Sequence, residues 1–279
     1  MTTTAPPEAA SGPTPPRPNR TLRVALLSTG SAALVLVAGI AISQAVSAAD
    51  RVDGSQDSAV ADPFDRLGVE AGDADVTVRY GDVEQAHIDF TAGDTGLTET
   101  HAVDDGQLLI KLRGPAWRPF DLSLGATEGA TIDVLLPEAE QGFPALEVQS
   151  TTGDINVSGF FGDTILNGTE GDILITGAAA DLTLGTAGGA IDARNIYVAG
   201  ELQATSTAGD ARLVLDDAPS AMTVETAGDQ LIRIPAGAYD IRTSAPMGEA
   251  TNTLGSDPDS TYPYRFSSTA GDIIITQRR

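Results

Sequence analysis

The sequence predicts an all-β protein: a single-domain β-solenoid preceded by one transmembrane helix. A Thr-x-Gly-Asp turn recurs along the second half of the chain, and apolar and polar residues alternate on both sides of each turn. A long uncharged apolar segment lies near the amino terminus. Because self-similarity at a period of about 20 to 50 residues is typical of solenoids, the repeat fixes the predicted architecture.

The amino-terminal segments differ in composition from the rest of the chain. Residues 1–20 are rich in proline and poor in apolar bulk, which predicts a disordered tail. Residues 21–49 are predicted to form the membrane helix, because Val24–Val46 holds no charge and would reach about 35 Å at roughly 1.5 Å per residue. The arginines that precede it place the tail in the cytoplasm by the positive-inside rule: Arg17, Arg20 and Arg23. Small residues after it leave open whether this anchor is cleaved, but the rest of the chain is exported either way.

The exported part begins with a predicted polar stalk at residues 50–63, followed by the solenoid domain at residues 64–279. Residues 51–279 hold 13 basic and 37 acidic residues, a net charge of about −24. Such a charge disfavours nucleic acid, anionic lipid and teichoic-type polymers as partners, except through bridging cations. The chain has no cysteine, so burial and backbone pairing must supply its stability.

Strand-like alternation appears before the repeat and within it. Four candidate strands come first: Ala74–Tyr80, Gln85–Thr91, Gln107–Arg113 and Thr131–Leu136. From about Ala145 onward, each repeat is a strand, a turn and a second strand, and the turn glycines are spaced 18 to 20 residues apart. Gly189 is taken as a turn residue instead of Gly188, because a one-residue slip would put Asp192 inside. Aromatic and apolar clusters are expected to close the two ends: Phe64, Leu67, Trp117 and Phe120 at one, and Tyr262, Tyr264 and Phe266 at the other.

The repeated turn residues are interpreted as structural. They are Gly153, Asp154, Gly171, Asp172, Gly209, Asp210, Gly228, Asp229, Gly271 and Asp272. Glycine is expected to supply positive φ, and the aspartate is expected to accept hydrogen bonds from nearby backbone amides. Stacked aspartates suggest a calcium column, but repulsion between solvated carboxylates is only about 1 kcal/mol per pair and does not require a cation. The spacing also differs from that of calcium-binding nonapeptide repeats, so no metal and no cofactor are predicted.

Catalytic motifs are missing from the sequence. The two histidines, His87 and His101, lack the spacing of a zinc site, and no nucleophile elbow or phosphate-binding glycine loop is present. We therefore expect no enzyme activity. The candidate interaction residues are Trp117, which is either a cap or a sugar-stacking residue, and the outward-facing Arg212 and Arg233.

The chain resembles the DUF4097 family of bacterial, adhesin-like β-repeat proteins. The resemblance rests on an amino-terminal membrane helix, the Ile132–Pro137 strand, and Gly-Asp-Ile units at Gly153, Gly171 and Gly271. It spans roughly residues 64–279 and implies a cell-surface β-solenoid, with an actinobacterial source expected.

These observations together predict a membrane-anchored extracellular module, with its amino terminus in the cytoplasm, that binds an envelope protein or glycan. Two alternatives stay open. One is an envelope-stress sensing or scaffolding domain that acts with other membrane proteins. The other is a β-helix polysaccharide lyase or hydrolase, because Arg194, Arg212 and Arg233 could line one face.

Overall fold

A computed structural model describes residues 52–53, 56–114, 129–142 and 144–278, which all fall in one compact unit. This part of the chain is almost entirely β-structure, as the alternation predicts. Its one short 3-10 helix is Glu138–Glu140. The strands are β1 Val52–Asp53, β2 Gln56–Val60, β3 Arg66–Gly72, β4 Asp75–Gly81, β5 Ala86–Thr91, β6 Thr98–Asp104, β7 Gln107–Arg113, β8 Thr131–Pro137, β9 Ala145–Ser150, β10 Ile155–Phe160, β11 Thr164–Asn167, β12 Ile173–Ala179, β13 Leu182–Thr186, β14 Ile191–Val198, β15 Glu201–Ser206, β16 Ala211–Leu215, β17 Ala221–Thr226, β18 Gln230–Ile234, β19 Asp240–Ser244, β20 Ala250–Asn252, β21 Pro263–Ser268 and β22 Ile273–Gln277.

The strands form two eleven-stranded sheets, here called sheet A and sheet B. Sheet A has the order β1-β6-β7-β3-β9-β11-β13-β15-β17-β21-β19, and sheet B has the order β2-β5-β8-β4-β10-β12-β14-β16-β18-β22-β20. From β9 onward each coil gives one strand to each sheet, and neighbouring coils pair in parallel. The described residues therefore form a two-sheet solenoid.

The core lies between the two sheets because every second residue of each strand points inward. In β10, Ile155 and Val157 are buried while Asn156 is exposed, and β12 repeats this pattern at Ile173 and Ile175. The inward side chains of both sheets form one continuous apolar cluster. Full burial of such a side chain contributes roughly 1.5 to 3 kcal/mol, so stacking the coils supplies stability that a single coil lacks.

The spatial order of the coils departs from their sequence order at both ends. The coil β3/β4 lies between β7/β8 and β9/β10, and the coil β21/β22 lies between β17/β18 and β19/β20. In the second case Gln230 pairs with Ile273, although the coil β19/β20 comes between them in sequence. The serial stacking that the repeat suggests therefore holds only for the middle of the solenoid.

The ends are closed in different ways. At the amino-terminal end, the antiparallel pairs β2–β5 and β6–β7 extend the parallel sheets. Strand β2 falls within residues 50–63, so part of the expected stalk belongs to sheet B. At the other end, Tyr239 stacks on Tyr264 with ring centroids 4.8 Å apart. Tyr262 meets Tyr239 edge-on, so aromatic packing closes this end as the sequence suggests.

Three predicted features lie outside the described residues: the tail at 1–20, the membrane helix at 21–49, and Trp117 with Phe120. Among the residues that are described, no helix has the length and apolar character needed to cross a membrane.

Candidate functional site

The turn glycines bring successive coils into close contact. A Cβ on Gly171 would lie 2.2 Å from the carbonyl oxygen of Gly153, and a Cβ on Gly189 would lie 2.0 Å from that of Gly171. The expectation of positive φ at these turns is wrong, because none of the repeat-turn glycines has it. Glycine is required here because any side chain would collide with the backbone of the neighbouring coil.

The turn aspartates form a ladder of hydrogen bonds between coils. The backbone N–H of each turn residue donates to the Oδ1 of the aspartate in the adjacent coil, at 2.7 to 2.9 Å. The donor–acceptor pairs are Asp154–Asp75, Asp172–Asp154, Ala190–Asp172, Asp229–Asp210, Asp272–Asp229 and Glu249–Asp272. The ladder follows the spatial order of the coils and lacks a carboxylate at Ala190. These aspartates thus bond across coils, not within their own turn as expected.

A column of buried hydroxyls, which was not predicted from the sequence, supports the same corner. Ser268 is fully buried, accepts a hydrogen bond from Gly271 N–H at 2.9 Å and donates to the Gly228 carbonyl at 2.8 Å. Thr186 and Ser206 bond in the same way to the glycines of their own and neighbouring coils. A serine or threonine three residues before the turn glycine is visible in the sequence and could have been recognised.

The aspartate column shows no metal-binding geometry. Within residues 56–114, 129–142 and 144–278, no group of three or more acidic or histidine side chains is placed to hold an ion. The Oδ1 atoms that could face a cation already accept backbone N–H bonds. The corner is therefore best explained as a structural element.

The outer face of sheet B carries arginines among apolar side chains. We call the outward residues of β12 to β22 the arginine face: Leu174, Thr176, Asp192, Arg194, Arg212, Val214, Leu231, Arg233, Ile274 and Thr276. They form two rows, because Arg212 is in register with Leu231, and Val214 with Arg233. Neighbouring strands lie about 4.8 Å apart, and a strand rises about 3.3 Å per residue. The Cα atoms of Arg212 and Arg233, one strand and two residues apart, are therefore separated by about 8 Å.

The charges of this face oppose those of the protein as a whole. Three arginines against one aspartate leave a net charge of +2 on the face, whereas the chain carries −23. Arg194 donates from Nε to Asp192 Oδ1 at 2.7 Å, and this hydrogen bond and the charge of Asp192 raise the pKa of Arg194. Arg212 and Arg233 are exposed and form no hydrogen bond or ion pair with any residue that the structure describes, so they stay available to an outside partner.

A bulge in β14 beside the arginine face turns Tyr197 outward, whereas Phe160 faces outward in the regular alternation of β10. Gly159 and Gly177 both have φ of +123°, and Asn195 has φ of +51°, at matching places in β10, β12 and β14. Gly159 also leaves room for the Tyr80 ring, since a Cβ there would lie 2.3 Å from it. Beyond the bulge, Phe160 and Tyr197 are 51% and 45% exposed.

The outer face of sheet A differs in composition. Its outward residues from β9 to β17 are mainly uncharged polar groups and glutamates: Glu147, Gln149, Asn167, Thr183, Gln203, Thr205, Thr223 and Glu225. Basic residues appear at its far end, where Arg265 is in register with Arg242, and Arg242 bonds to Asp240. Of the predicted interaction residues, the structure thus brings Arg212 and Arg233 together on sheet B, while Trp117 lies outside the described residues.

The protein is similar to crystal structures of a "putative cell adhesion protein" from Clostridium sporogenes, a "putative adhesin" from Bacteroides fragilis and a "putative lipid binding protein" from Parabacteroides distasonis. Sequence identities are 12%, 14% and 12%, and TM-scores are 0.37, 0.41 and 0.45. The aligned regions cover 81% of this chain in each case, and 100%, 97% and 97% of those chains. At these identities and TM-scores the likeness carries no functional argument.

No functionally curated protein matches the sequence. The family model described as Toastrack DUF4097 matches residues 40–276, which confirms the resemblance noted in the repeat units. Since this match spans well over half of the chain, the protein belongs to the Toastrack DUF4097 family.

Proposed function

We propose that the protein is a membrane-anchored extracellular module that binds an envelope component through the arginine face and does not catalyse a reaction. The observation that supports this most strongly is the pair of exposed, unpaired arginines, Arg212 and Arg233, on an otherwise acidic protein. Exposed charges add little to the stability of a fold. A local cluster of one sign, by contrast, attracts and orients a partner of the opposite sign.

In the proposed arrangement, the described domain lies outside the cell. The predicted helix at 21–49 would hold the chain in the membrane, with the arginine-bearing tail in the cytoplasm. Protease added to intact cells should then remove a tag fused after Arg279 and spare a tag placed before Met1. The reverse pattern would contradict the proposed orientation.

Retention of the purified chain on intact cell envelopes tests the binding surface. The double variant Arg212→Glu/Arg233→Glu should lose retention, because it reverses the sign of the face. The matched control Arg242→Glu/Arg265→Glu makes the same change in net charge on sheet A and should retain binding. Equal losses in both variants would show that net charge, not the arginine face, decides binding.

Two outcomes would favour the alternative functions. A deletion strain that attaches normally but shows an altered envelope-stress response would support a sensing or scaffolding role. Release of unsaturated or reducing ends from uronate polymers by the purified protein would support the lyase or hydrolase alternative, and would contradict a purely binding role.

A further inference from the structure

If the arginine face binds an envelope component, as proposed above, its shape and charge indicate the chemical class of that ligand. Arg194 and Arg233 lie in one row on β14 and β18, separated by Val214 on β16. Two strand spacings put their Cα atoms about 10 Å apart along the solenoid axis. Arg212 lies between them in the adjacent row, so the cationic groups follow the axis of the solenoid. This arrangement suits a ligand that carries several anionic groups along its length.

The cationic strip is narrow and has acidic borders. Along β16 and the residues on either side of it, the outward positions run from the turn residue Asp210 through Arg212 and Val214 to Asp216, a distance of about 20 Å at 3.3 Å per residue. Asp216 forms an ion pair with Arg278, so it adds little negative charge to this border. The ladder aspartates extend the first border along the neighbouring coils, and exposed Asp181 and Asp217 lie at the opposite edge. Charges separated by more than roughly 8 Å are screened at physiological salt. A thin chain above Arg233 lies about 13 Å along the strand from Asp229 and avoids most of this repulsion, whereas Arg212 is only about 7 Å from Asp210.

A flat anionic membrane does not fit this pattern of charge. A planar surface would meet the acidic borders together with the arginines. The apolar side chains are also too shallow to insert into lipid, since Leu174 and Ile274 are only 36% and 41% exposed. They instead offer flat apolar contacts beside hydroxyl groups of Thr176 and Thr276, a combination that suits the mixed polar and apolar faces of sugar rings.

We propose that the arginine face binds a linear polysaccharide that bears carboxylate or phosphate groups, with the glycan chain running along the solenoid axis. Guanidinium groups bind carboxylates and phosphates alike through paired N–H donors, so the arginines accept either kind of anionic group. The net charge of the protein argues against teichoic-type polymers as partners. The charges are separated in the folded protein, since apart from Asp192, which pairs with Arg194, the acids near this face lie at the corners and the arginines lie on the face. An anionic polymer above the arginines therefore meets local positive charge.

Titration of the full-length chain, reconstituted in detergent-free nanodiscs of neutral phosphatidylcholine, tests this assignment with four probes: polygalacturonate, poly(ribitol phosphate), neutral dextran and phosphatidylglycerol vesicles. We expect saturable binding to one or both charged glycans and none to dextran. The variant Arg212→Gln/Arg233→Gln should weaken this binding by about tenfold or more and make its dependence on salt less steep. The control Arg242→Gln/Arg265→Gln should bind as the unmodified chain does, and far-UV circular dichroism should show that both variants are folded.

Several results would overturn the assignment. Equal binding of dextran, binding of the vesicles alone, or equal losses in both variants would each contradict an anionic glycan on this face. Binding of neither charged glycan, while retention on envelopes still requires Arg212 and Arg233, would refute the glycan but leave the proposed function intact. If, in addition, retention on envelopes does not require Arg212 and Arg233, both the glycan assignment and the proposed function are refuted. Binding of polygalacturonate points to carboxylates as the recognised groups, and binding of poly(ribitol phosphate) points to phosphates.

Discussion

The two adjacent glycines at 188 and 189 give a sharp test of how the coils stack. Neither has positive φ, so backbone conformation contributes equally little to the cost of replacing either of them. A Cβ on Gly189 would lie 2.0 Å from the Gly171 carbonyl oxygen, whereas the nearest atom to a Cβ on Gly188 is 3.4 Å away. The variants Gly189→Ala and Gly188→Ala therefore differ almost only in contact between coils.

The expected loss of stability in Gly189→Ala follows from the hydrogen bonds between the coil of Gly189 and the coil of Gly171. Relief of the collision needs a separation of about 1 Å, since contacts shorter than 3.0 Å are essentially never seen for Cβ atoms. That movement would stretch the 2.9 Å bond from Ile173 N–H to the Ala190 carbonyl well beyond the roughly 3.2 Å limit of a good bond. The 2.7 Å bond from Gly188 N–H to the Thr169 carbonyl would lengthen too. Two weakened bonds and local overpacking predict a loss of about 3 kcal/mol in the free energy of unfolding.

Urea denaturation followed by far-UV circular dichroism measures this difference. Gly189→Ala should lower the free energy of unfolding by about 3 kcal/mol. Gly188→Ala should change it by less than about 0.5 kcal/mol, or raise it slightly by restricting the unfolded chain. Similar losses in the two variants, or a loss below about 1 kcal/mol for Gly189→Ala, would refute close backbone contact as the reason for glycine.

Three further predictions concern the corner and the carboxyl-terminal end. Ser268→Ala should cost about 1 kcal/mol in thermal or urea unfolding, because it removes the hydroxyl's bonds to Gly271 N–H and the Gly228 carbonyl, which keep only their second partners, the Ala227 carbonyl and the Thr226 hydroxyl. The exposed neighbour Ser267→Ala should cost less than about 0.5 kcal/mol. Ala190→Asp should supply the missing acceptor for the Asp210 N–H and stabilise the fold by about 0.5 kcal/mol, more at high salt where repulsion is screened; destabilisation at high salt would contradict this. Burial raises the pKa of Tyr264, and the nearby Tyr239, Tyr262 and Asp217 add to this shift. The stabilisation that comes from the protonated Tyr264 hydroxyl is therefore fully present below about pH 10. It is lost at higher pH, because the tyrosine of the unfolded chain ionises before that of the folded protein. Tyr264→Phe should therefore make the alkaline loss of stability less steep, by up to about 1.4 kcal/mol per pH unit, and an unchanged slope would contradict a raised pKa.

The middle of the solenoid was predictable because its signals are local. Alternating apolar residues identify each strand, and the spacing of the turns gives the coil length. The choice of Gly189 over Gly188 as the turn residue agrees with the structure, where Ile173 is in register with Ile191. Each of these signals lies within about twenty residues of sequence and needs no knowledge of distant contacts.

The exchange of coils at the two ends was not predictable in the same way. The repeat units alone do not say that β21/β22 packs on β17/β18, because either neighbour would bury the same apolar positions. Gln230 offers a partial signal, since it takes the place of the isoleucine found in most other coils. Its Nε2 donates to the Ser267 carbonyl at 2.7 Å, a contact that exists only because β21/β22 is the neighbouring coil.

Part of the candidate site could be predicted from the sequence, because the alternation of a strand determines which side chains point outward. The outward direction of Arg212 and Arg233 follows from the period of two in β16 and β18, so the sequence places them on one face. Their lack of partners does not follow from the sequence. Arg194 has the same outward direction but bonds to Asp192, two residues earlier on the same strand, so this pair could have been suggested by the alternation of β14.

Photocrosslinking in intact cells tests whether the arginine face is the surface that contacts the envelope. A crosslinking amino acid at position 231 replaces Leu231, which is in register with Arg212 on sheet B. The control at position 223 replaces Thr223 on the outer face of sheet A, in the same coil and similarly half-buried. Our account predicts that envelope material is captured from position 231 and not from position 223. Capture from position 223 alone, or equal capture from both, would show that the arginine face is not the binding surface.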